Sequence, residues 1–309
     1  MLISICVATY RRPEGLKRLI AGLDRLMFLD REQPQIEVIV VDNDPTCSAR
    51  AFCEQLQSQF KWSIKYFSEP QRGISYVRNK AVAEVDINAD FMLFIDDDEV
   101  PEPDWIEQLL IVQQEYDADV VAGPSLPFFP EPDLPKWVTS GHFFEPQRYP
   151  TGYRLQYAGT NNVLVRARIL REMDRVFDER FALTGGEDSH LFMRLDRAGY
   201  KLVWADLAVV YEWVPKSRTN VKWILQRGYR CYGTYSLCEK ELEPLLKVLV
   251  KRISTGTGRI AIGIVSLLPA LFLGKAQSVQ ALLQISRGAG ILSGLIGKSY
   301  NEYQNTHGD

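Results

Sequence analysis

The sequence predicts an α/β protein: a mostly parallel central sheet with helices on both faces, followed by a helical C-terminal tail. Three observations predict it. Short apolar runs alternate with stretches of helical spacing through residues 1–122, the pattern of strands joined by crossover helices. The run Phe91-Met92-Leu93-Phe94-Ile95 is apolar at every position, as a strand covered on both faces must be. From Leu245 to Asn301 the chain holds no Asp or Glu and is rich in apolar residues.

The elements follow in order. Residues 2–8 read as a first buried strand. Pro13 suits the first position of a helix, and Leu16, Leu19, Ile20, Leu23 and Met27 continue it at helical spacing. Residues 36–41 are a second strand, ended by Asp42-Asn43-Asp44-Pro45. Phe52, Leu56 and Phe60 mark a helix, residues 64–67 a strand, and Ile74, Val77, Ala81 and Val85 another helix. After the strand at 91–95, Trp105, Leu109 and Val112 mark a helix and residues 120–122 a strand. Residues 123–158, rich in Pro and aromatics, read as loops over a crevice. Residues 187–198 read as a helix ended by Gly199, 201–210 as a late strand, and 219–240 as a helix. Residues 1–240 are expected to form one domain in two halves, 1–122 and 123–240, with 241–309 as the tail. Ligands on such sheets bind beyond the carboxyl ends of the strands. The acids that follow two strands, at Asp42 and Asp96, are therefore expected in one crevice.

A chain of 309 residues has ample core, and 46% apolar with 24% charged residues is ordinary for a globular protein. The net charge of −3 gives no reason to expect a nucleic-acid partner. It hides an asymmetry, because seven basic residues lie in the acid-free stretch: Lys247, Lys251, Arg252, Arg259, Lys275, Arg287 and Lys298. Taken from 36 Lys and Arg against 39 Asp and Glu, they leave the remainder about ten charges negative. A basic tail on an acidic body is a signal of location. The five cysteines, Cys6, Cys47, Cys53, Cys231 and Cys238, form no C-x-x-C pair, so a reducing compartment is expected. The apolar N-terminus lacks the charged region and cleavage site of a signal peptide.

Asp96-Asp97-Asp98-Glu99 directly follows the apolar strand. Adjacent acids repel one another unless a cation gathers them. A hard divalent ion such as Mg2+ or Mn2+ takes one or two carboxylates plus phosphate oxygens, and neutralises the charge of a leaving diphosphate. The alternative is a solvated acidic turn. Asp42 can accept hydrogen bonds from a nucleobase or ribose, or it closes its strand as an Asx turn. Gly185-Gly186-Glu187-Asp188 opens a helix, where the dipole stabilises carboxylate anions and an ionised carboxylate can act as a general base. A plain helix cap is the alternative.

The combination resembles the large family-two group of inverting glycosyltransferases with the GT-A fold. The residues that carry the resemblance are Ile5-Cys6-Val7-Ala8-Thr9-Tyr10-Arg11-Arg12, Val40-Val41-Asp42-Asn43, Arg72-Gly73-Ile74-Ser75-Tyr76-Val77-Arg78-Asn79, Phe94-Ile95-Asp96-Asp97-Asp98, and Gly186-Glu187-Asp188 through Arg194-Leu195 to Ala198-Gly199-Tyr200. The resemblance extends from about residue 2 to about residue 235. The resemblance implies a nucleotide-sugar donor, a UDP-sugar by the habit of the family, and a carbohydrate or lipid-linked acceptor. It implies a nucleotide-sugar-binding half over 1–122 and an acceptor half over 123–240. Thr9 and Arg11 would line the donor pocket, Asp42 would contact the base, and Asp96 and Asp97 join the donor-binding residues. Asp96 and Asp98 match the family's Asp-x-Asp and would hold the metal. Asp188 would be the general base, with Glu187 the lesser candidate. Arg78 would approach the donor phosphates or form a structural ion pair.

One departure concerns the metal. Relatives often place a His near the end of the late strand, where this chain has Glu212 in Val210-Tyr211-Glu212-Trp213. Glu212 can ligate a divalent cation or stand in solvent. His142 lies in the loop-rich segment, His190 is expected on a helix surface and His307 is in the tail. Gly159-Thr160-Asn161-Asn162 either borders the acceptor or forms a hairpin turn, and Trp137, Trp213 and Trp223 either stack on sugars or fill the core.

Three rival readings are weaker. A nucleotidyltransferase needs a Gly-rich basic loop near the N-terminus, and Ala8-Thr9-Tyr10-Arg11 has no glycine. A processive synthase carries Gln-x-x-Arg-Trp, which Gln226-Arg227-Gly228-Tyr229 does not match. A non-catalytic sugar-binding module would not need Asp96, Asp98 and Asp188 together.

The tail is expected at a membrane surface on the cytoplasmic side. Ile260–Leu273 is an apolar run of 14 residues, about 21 Å as a helix against about 30 Å of hydrocarbon, and Gly263 and Pro269 weaken it further. A second apolar stretch includes Leu282, Leu283, Ile285, Ile291, Leu292, Leu295 and Ile296. Two short helices with basic flanks suit the headgroup layer. A helical pair packed on the catalytic domain or on a second subunit is the alternative.

Overall fold

A computed structural model of the protein describes residues 1–297; Lys298 and His307, named above, lie outside the described residues. The chain runs β1 (Leu2–Thr9), α1 (Pro13–Asp24), β2 (Gln35–Asp42), α2 (Arg50–Leu56), β3 (Ser63–Ser68), α3 (Ile74–Glu84), β4 (Phe91–Asp96), β5 (Glu99–Pro101), α4 (Trp105–Tyr116) and β6 (Val120–Ala122). It continues with β7 (Ser125–Phe128), α5 (Lys136–Thr139), β8 (Asn162–Arg166), α6 (Ala167–Arg171), α7 (Glu187–Arg197), β9 (Leu202–Trp204), β10 (Val210–Trp213), α8 (Val221–Leu242), α9 (Leu245–Leu273) and α10 (Lys275–Leu295).

The main sheet has the order β3-β2-β1-β4-β8-β6-β9. All pairs are parallel except those of β8, which runs antiparallel to β4 and β6. Strand alternation divides the core into two layers. Ile3, Ile5 and Val7 face Leu16, Leu19 and Leu23 of α1 and Trp105 of α4 on one side. Cys6, Met92 and Phe94 face Val77 of α3 and Leu191 and Phe192 of α7 on the other. Register brings Thr9 opposite Asp42 and Ala8 opposite Asp96, so three strand ends meet at one edge of the sheet.

Four expectations need correction. Residues 123–158 are not all loop: β7 and the short α5 lie within them, too brief for a periodic signal. The late strand at 201–210 is two strands. β9 belongs to the main sheet, and β10 to a second sheet of order β5-β10-β7, because the chain turns at Ala205–Ala208 through the Ala208 N–H bond to the Ala205 carbonyl, 3.2 Å. Gly159–Asn162 is not a hairpin turn, since the strand it opens, β8, pairs with β4 from far earlier in the chain. His190 is buried against Phe181 rather than on a helix surface.

The tail also differs. α9 has 29 residues, about 43 Å by helical rise, because Lys, Arg, Ser and Thr before Ile260 continue the helix without a break. Length therefore does not forbid a span: among the described residues α9 is the one helix long and apolar enough to cross a membrane. Gly274, at φ 107, turns the chain into α10. α10 lies on α8 through glycines, where a Cβ at Gly290 would collide with the Tyr229 carbonyl and one at Gly294 with the Gly233 carbonyl.

Candidate active site

The strand ends open into a cavity of about 710 Å³. Thr9, Arg78, Asp96, Asp97, Asp98, Glu187, Asp188 and Glu212 all line it. Arg11 and Asp42 are not among its lining residues. Asp42 is fully buried and used internally. Its Oδ1 accepts from the Asp44 N–H at 2.8 Å, and its Oδ2 from the Ala49 N–H at 2.9 Å and the Tyr66 hydroxyl at 3.2 Å. This is the Asx-turn alternative, and the neighbouring Asn43 reaches the cavity instead. Arg11 adopts φ 52 and pairs with Asp44 at 3.3 Å. The left-handed residue turns the chain, and Arg12 points inward in its place.

The acid run divides by partner. Asp97 is buried, accepts from the Thr9 hydroxyl at 2.8 Å and pairs with Arg12 at 3.0 Å. Burial lifts its pKa to about 6, against the pull of Arg12. Glu99 is buried and accepts from the Ser125 hydroxyl at 2.6 Å and the Asp96 N–H at 3.1 Å. Burial first, and the Asp96 charge second, hold it well above the usual carboxylate range. Asp96 keeps 37% of its side chain exposed and pairs with Arg78 at 2.9 Å. Partial loss of solvent around its carboxyl raises its pKa despite Arg78. Asp98 pairs with Arg12 at 3.1 Å and Arg218 at 3.0 Å. Burial would raise it, but the two guanidinium groups outweigh that and hold it below the ordinary range.

Across the cavity, Gly185 and Gly186 take φ 74 and 98 and deliver Glu187 and Asp188 at the start of α7. A Cβ at Gly186 would collide with Thr234 of α8, so only glycine lets the two helices close here. Glu187 is buried, bonded to Arg78, and lifted to about 7 by burial against the pull of Arg78. Arg78 thus ties Asp96 to Glu187, the structural ion pair of the two alternatives. Asp188 is part-exposed, and its Oδ1 accepts from the Ser189 N–H at 2.5 Å. Glu212 sits opposite Glu99 in the β10–β5 ladder and pairs with Arg218 at 2.8 Å and Arg227 at 3.7 Å.

A family model described as Glycosyl transferase family 2 matches residues 4–174, more than half of the chain. The chain belongs to glycosyl transferase family 2. It is 30% identical over 304 residues to the succinoglycan biosynthesis protein ExoM of Rhizobium meliloti (strain 1021), covering 97% of this chain and 95% of that one. Among solved structures it resembles S. aureus TarS 1-349 in complex with UDP, with TM-score 0.53, 18% identity and coverage of 97% and 93%. It also resembles the mannosyltransferase PcManGT from Pyrobaculum calidifontis in complex with GDP-Man and Mn2+, with TM-score 0.66, 14% identity and coverage of 96% and 88%. The fold is therefore the GT-A type.

This glycosyltransferase lines its cavity with basic residues that sequence reading missed: Arg12, Arg72, Arg218, Arg227, Arg230 and Arg252. A signal existed for α8. Trp223, Arg227, Arg230 and Thr234 recur at helical spacing on one face, and all four reach the cavity. Trp223 itself is stacked on Phe144 at 5.7 Å between ring centroids, while Trp213 packs on Phe128 and Trp137 lies under Lys275. Among the described residues no group of three or more His, Cys, Asp or Glu is poised to hold a metal ion. The donor set nevertheless suits Mg2+ or Mn2+. Two carboxylates, Asp96 and Asp98, open to a cavity wide enough for a diphosphate, and such ions are held by one or two carboxylates plus phosphate oxygens.

Proposed function

We propose that this glycosyltransferase moves a sugar from a nucleoside-diphosphate sugar, UDP-linked by expectation, to an acceptor hydroxyl with inversion. The observation that carries the reading is that one cavity holds Asp96 and Asp98 at the end of β4 and Asp188 at the start of α7. In-line displacement needs a base on the face of the sugar opposite the leaving diphosphate. Asp188 takes the acceptor proton as the hydroxyl oxygen bonds to the anomeric carbon and the bond to the diphosphate breaks. Glu187 serves less well, because Arg78 holds it and it is buried. Arg78 positions the site by linking Asp96 to Glu187. Asp96 and Asp98, with Glu212 as the third carboxylate, would hold a divalent cation, whose chemistry when bound is to neutralise charge on the leaving diphosphate. The solved structures with UDP, and with GDP-Man and Mn2+, support a nucleotide donor and a metal.

Cell-surface polysaccharide or glycolipid assembly is the proposed setting, supported by the likeness to a succinoglycan biosynthesis protein. The proposed location is the inner face of the cell membrane. Val250, Ile253, Ile264, Val265, Leu268 and Phe272 are exposed along α9, a helix with basic residues and no Asp or Glu of its own, and suit the headgroup layer. A lipid-linked acceptor fits that location. The test is release of free nucleotide from a panel of UDP-, GDP- and dTDP-sugars, with and without Mg2+, Mn2+ or chelator. Turnover of one class that stops in chelator is expected, with inverted configuration in the product. A retained configuration rejects single displacement, and no turnover of any nucleotide sugar rejects the reading as a whole.

A further inference from the structure

Arg218 stands between two acids from different elements. Its Nη2 lies 3.0 Å from Asp98 Oδ2 and its Nη1 2.8 Å from Glu212 Oε1, with only 10% of its side chain exposed. Asp98 follows β4, and Glu212 lies on β10, which is joined to the Asp98 carbonyl by the Trp213 N–H at 2.7 Å. Arg218 closes the short turn between β10 and α8, its N–H bonded to the Pro215 carbonyl at 2.9 Å. Each arm of one guanidinium therefore holds a different carboxylate, an arrangement a planar fork allows and a point charge does not.

We propose that Arg218 is a built-in counter-cation, filling the place between Asp98 and Glu212 that a divalent ion would take and yielding it when a nucleoside diphosphate enters. The inference rests on the metal-assisted reading above. Two carboxylates that share one guanidinium repel each other unless positive charge lies between them, and Arg12 at 3.1 Å from Asp98 and Arg227 at 3.7 Å from Glu212 add to that charge. A divalent ion and the guanidinium need the same oxygen lone pairs, so the ion must displace at least one arm of Arg218. A diphosphate changes the balance. It offers the freed guanidinium a bidentate anionic partner and offers the ion further oxygen ligands. Cation and nucleotide then bind with positive coupling, and each raises the affinity of the other by the same factor. The free enzyme would hold little metal, and the ion would be drawn in only with its donor.

The experiment measures Mn2+ binding by the loss of the free-ion EPR signal, with Mn2+ alone and with Mn2+ plus UDP, for the whole chain. Wild type is expected to bind Mn2+ alone weakly. Arg218→Met should bind Mn2+ alone about tenfold more tightly or better, within the usual range of coupling effects. Adding Glu212→Gln to that variant should return the affinity toward wild type. Arg218→Lys keeps the charge but cannot fork across both acids, and it should also bind Mn2+ alone more tightly than wild type. It serves if the methionine variant does not fold, with thermal unfolding as the check. A folded Arg218 variant that binds Mn2+ no better than wild type overturns the proposal. The readout is separate from turnover. Full wild-type turnover in chelator would sink the metal-assisted reaction, yet a gain of Mn2+ affinity in Arg218→Met would still uphold the counter-cation.

Discussion

Glu187 and Asp188 are neighbours in the chain with different surroundings. Glu187 is buried under Arg78 and raised to about 7, whereas Asp188 is part-exposed in the cavity and accepts the N–H of the adjacent Ser189. Asp188→Asn should lower turnover by about 100-fold or more, the lower range for a general base, with UDP binding little changed. Glu187→Gln should weaken the Arg78 link and with it the position of Asp96, so its loss should appear in donor binding as well. Initial rates and UDP titration for both variants test this. A dead Glu187→Gln beside an active Asp188→Asn would reverse the assignment.

At the scale of elements, the site depends on how closely helices approach. α8 supplies Trp223, Arg227 and Arg230 to the cavity, while α10 packs closely on it at Gly233 and Tyr229. Gly290→Leu places a branched chain against the Tyr229 carbonyl and should push α10 away. Overpacking of this kind costs about 1–3 kcal/mol, so a lower midpoint of thermal unfolding is expected. Because α8 carries cavity residues, turnover should fall with it. An unchanged midpoint would mean that α10 does not bear on α8 in solution.

For the whole molecule, the tail and the body are one structure. Arg252 of α9 lines the cavity and bonds to Glu239 of α8, which Lys251 also holds at 2.8 Å. Ending the chain near residue 240 would therefore strip α8 of its cover and confuse membrane binding with misfolding. Point changes on the outer face of α9 are cleaner, since Phe272 is 91% exposed and Leu268 71%. The full chain should float with anionic vesicles at moderate salt, less so as salt rises. Leu268→Glu with Phe272→Glu should leave it at the bottom of the gradient. If the unaltered chain does not float, α9 more plainly serves a second copy, which light scattering would reveal.

The alternation of strands and helices through residue 122, the acids at the end of β4 and the glycine turn before Asp188 were all legible in the sequence. Those signals are local: an unbroken apolar run is a covered strand, and a carboxylate next to it lies at a strand end. The sequence did not reveal that β8 would return antiparallel between β4 and β6, because pairing between distant strands leaves no mark on either one. Asp42 and Arg11 illustrate the same limit within a single turn. Which of two adjacent polar residues reaches a cavity depends on one backbone angle, φ 52 at Arg11, and on which N–H groups the fold brings to Asp42. Which acid each arginine meets was set by tertiary structure, although the sequence had already offered Arg78 as an ion-pair candidate. Arg12, Arg78 and Arg218 come from three parts of the chain, and only folding gathers them, because buried carboxylates stay charged only where opposite charge is close at hand.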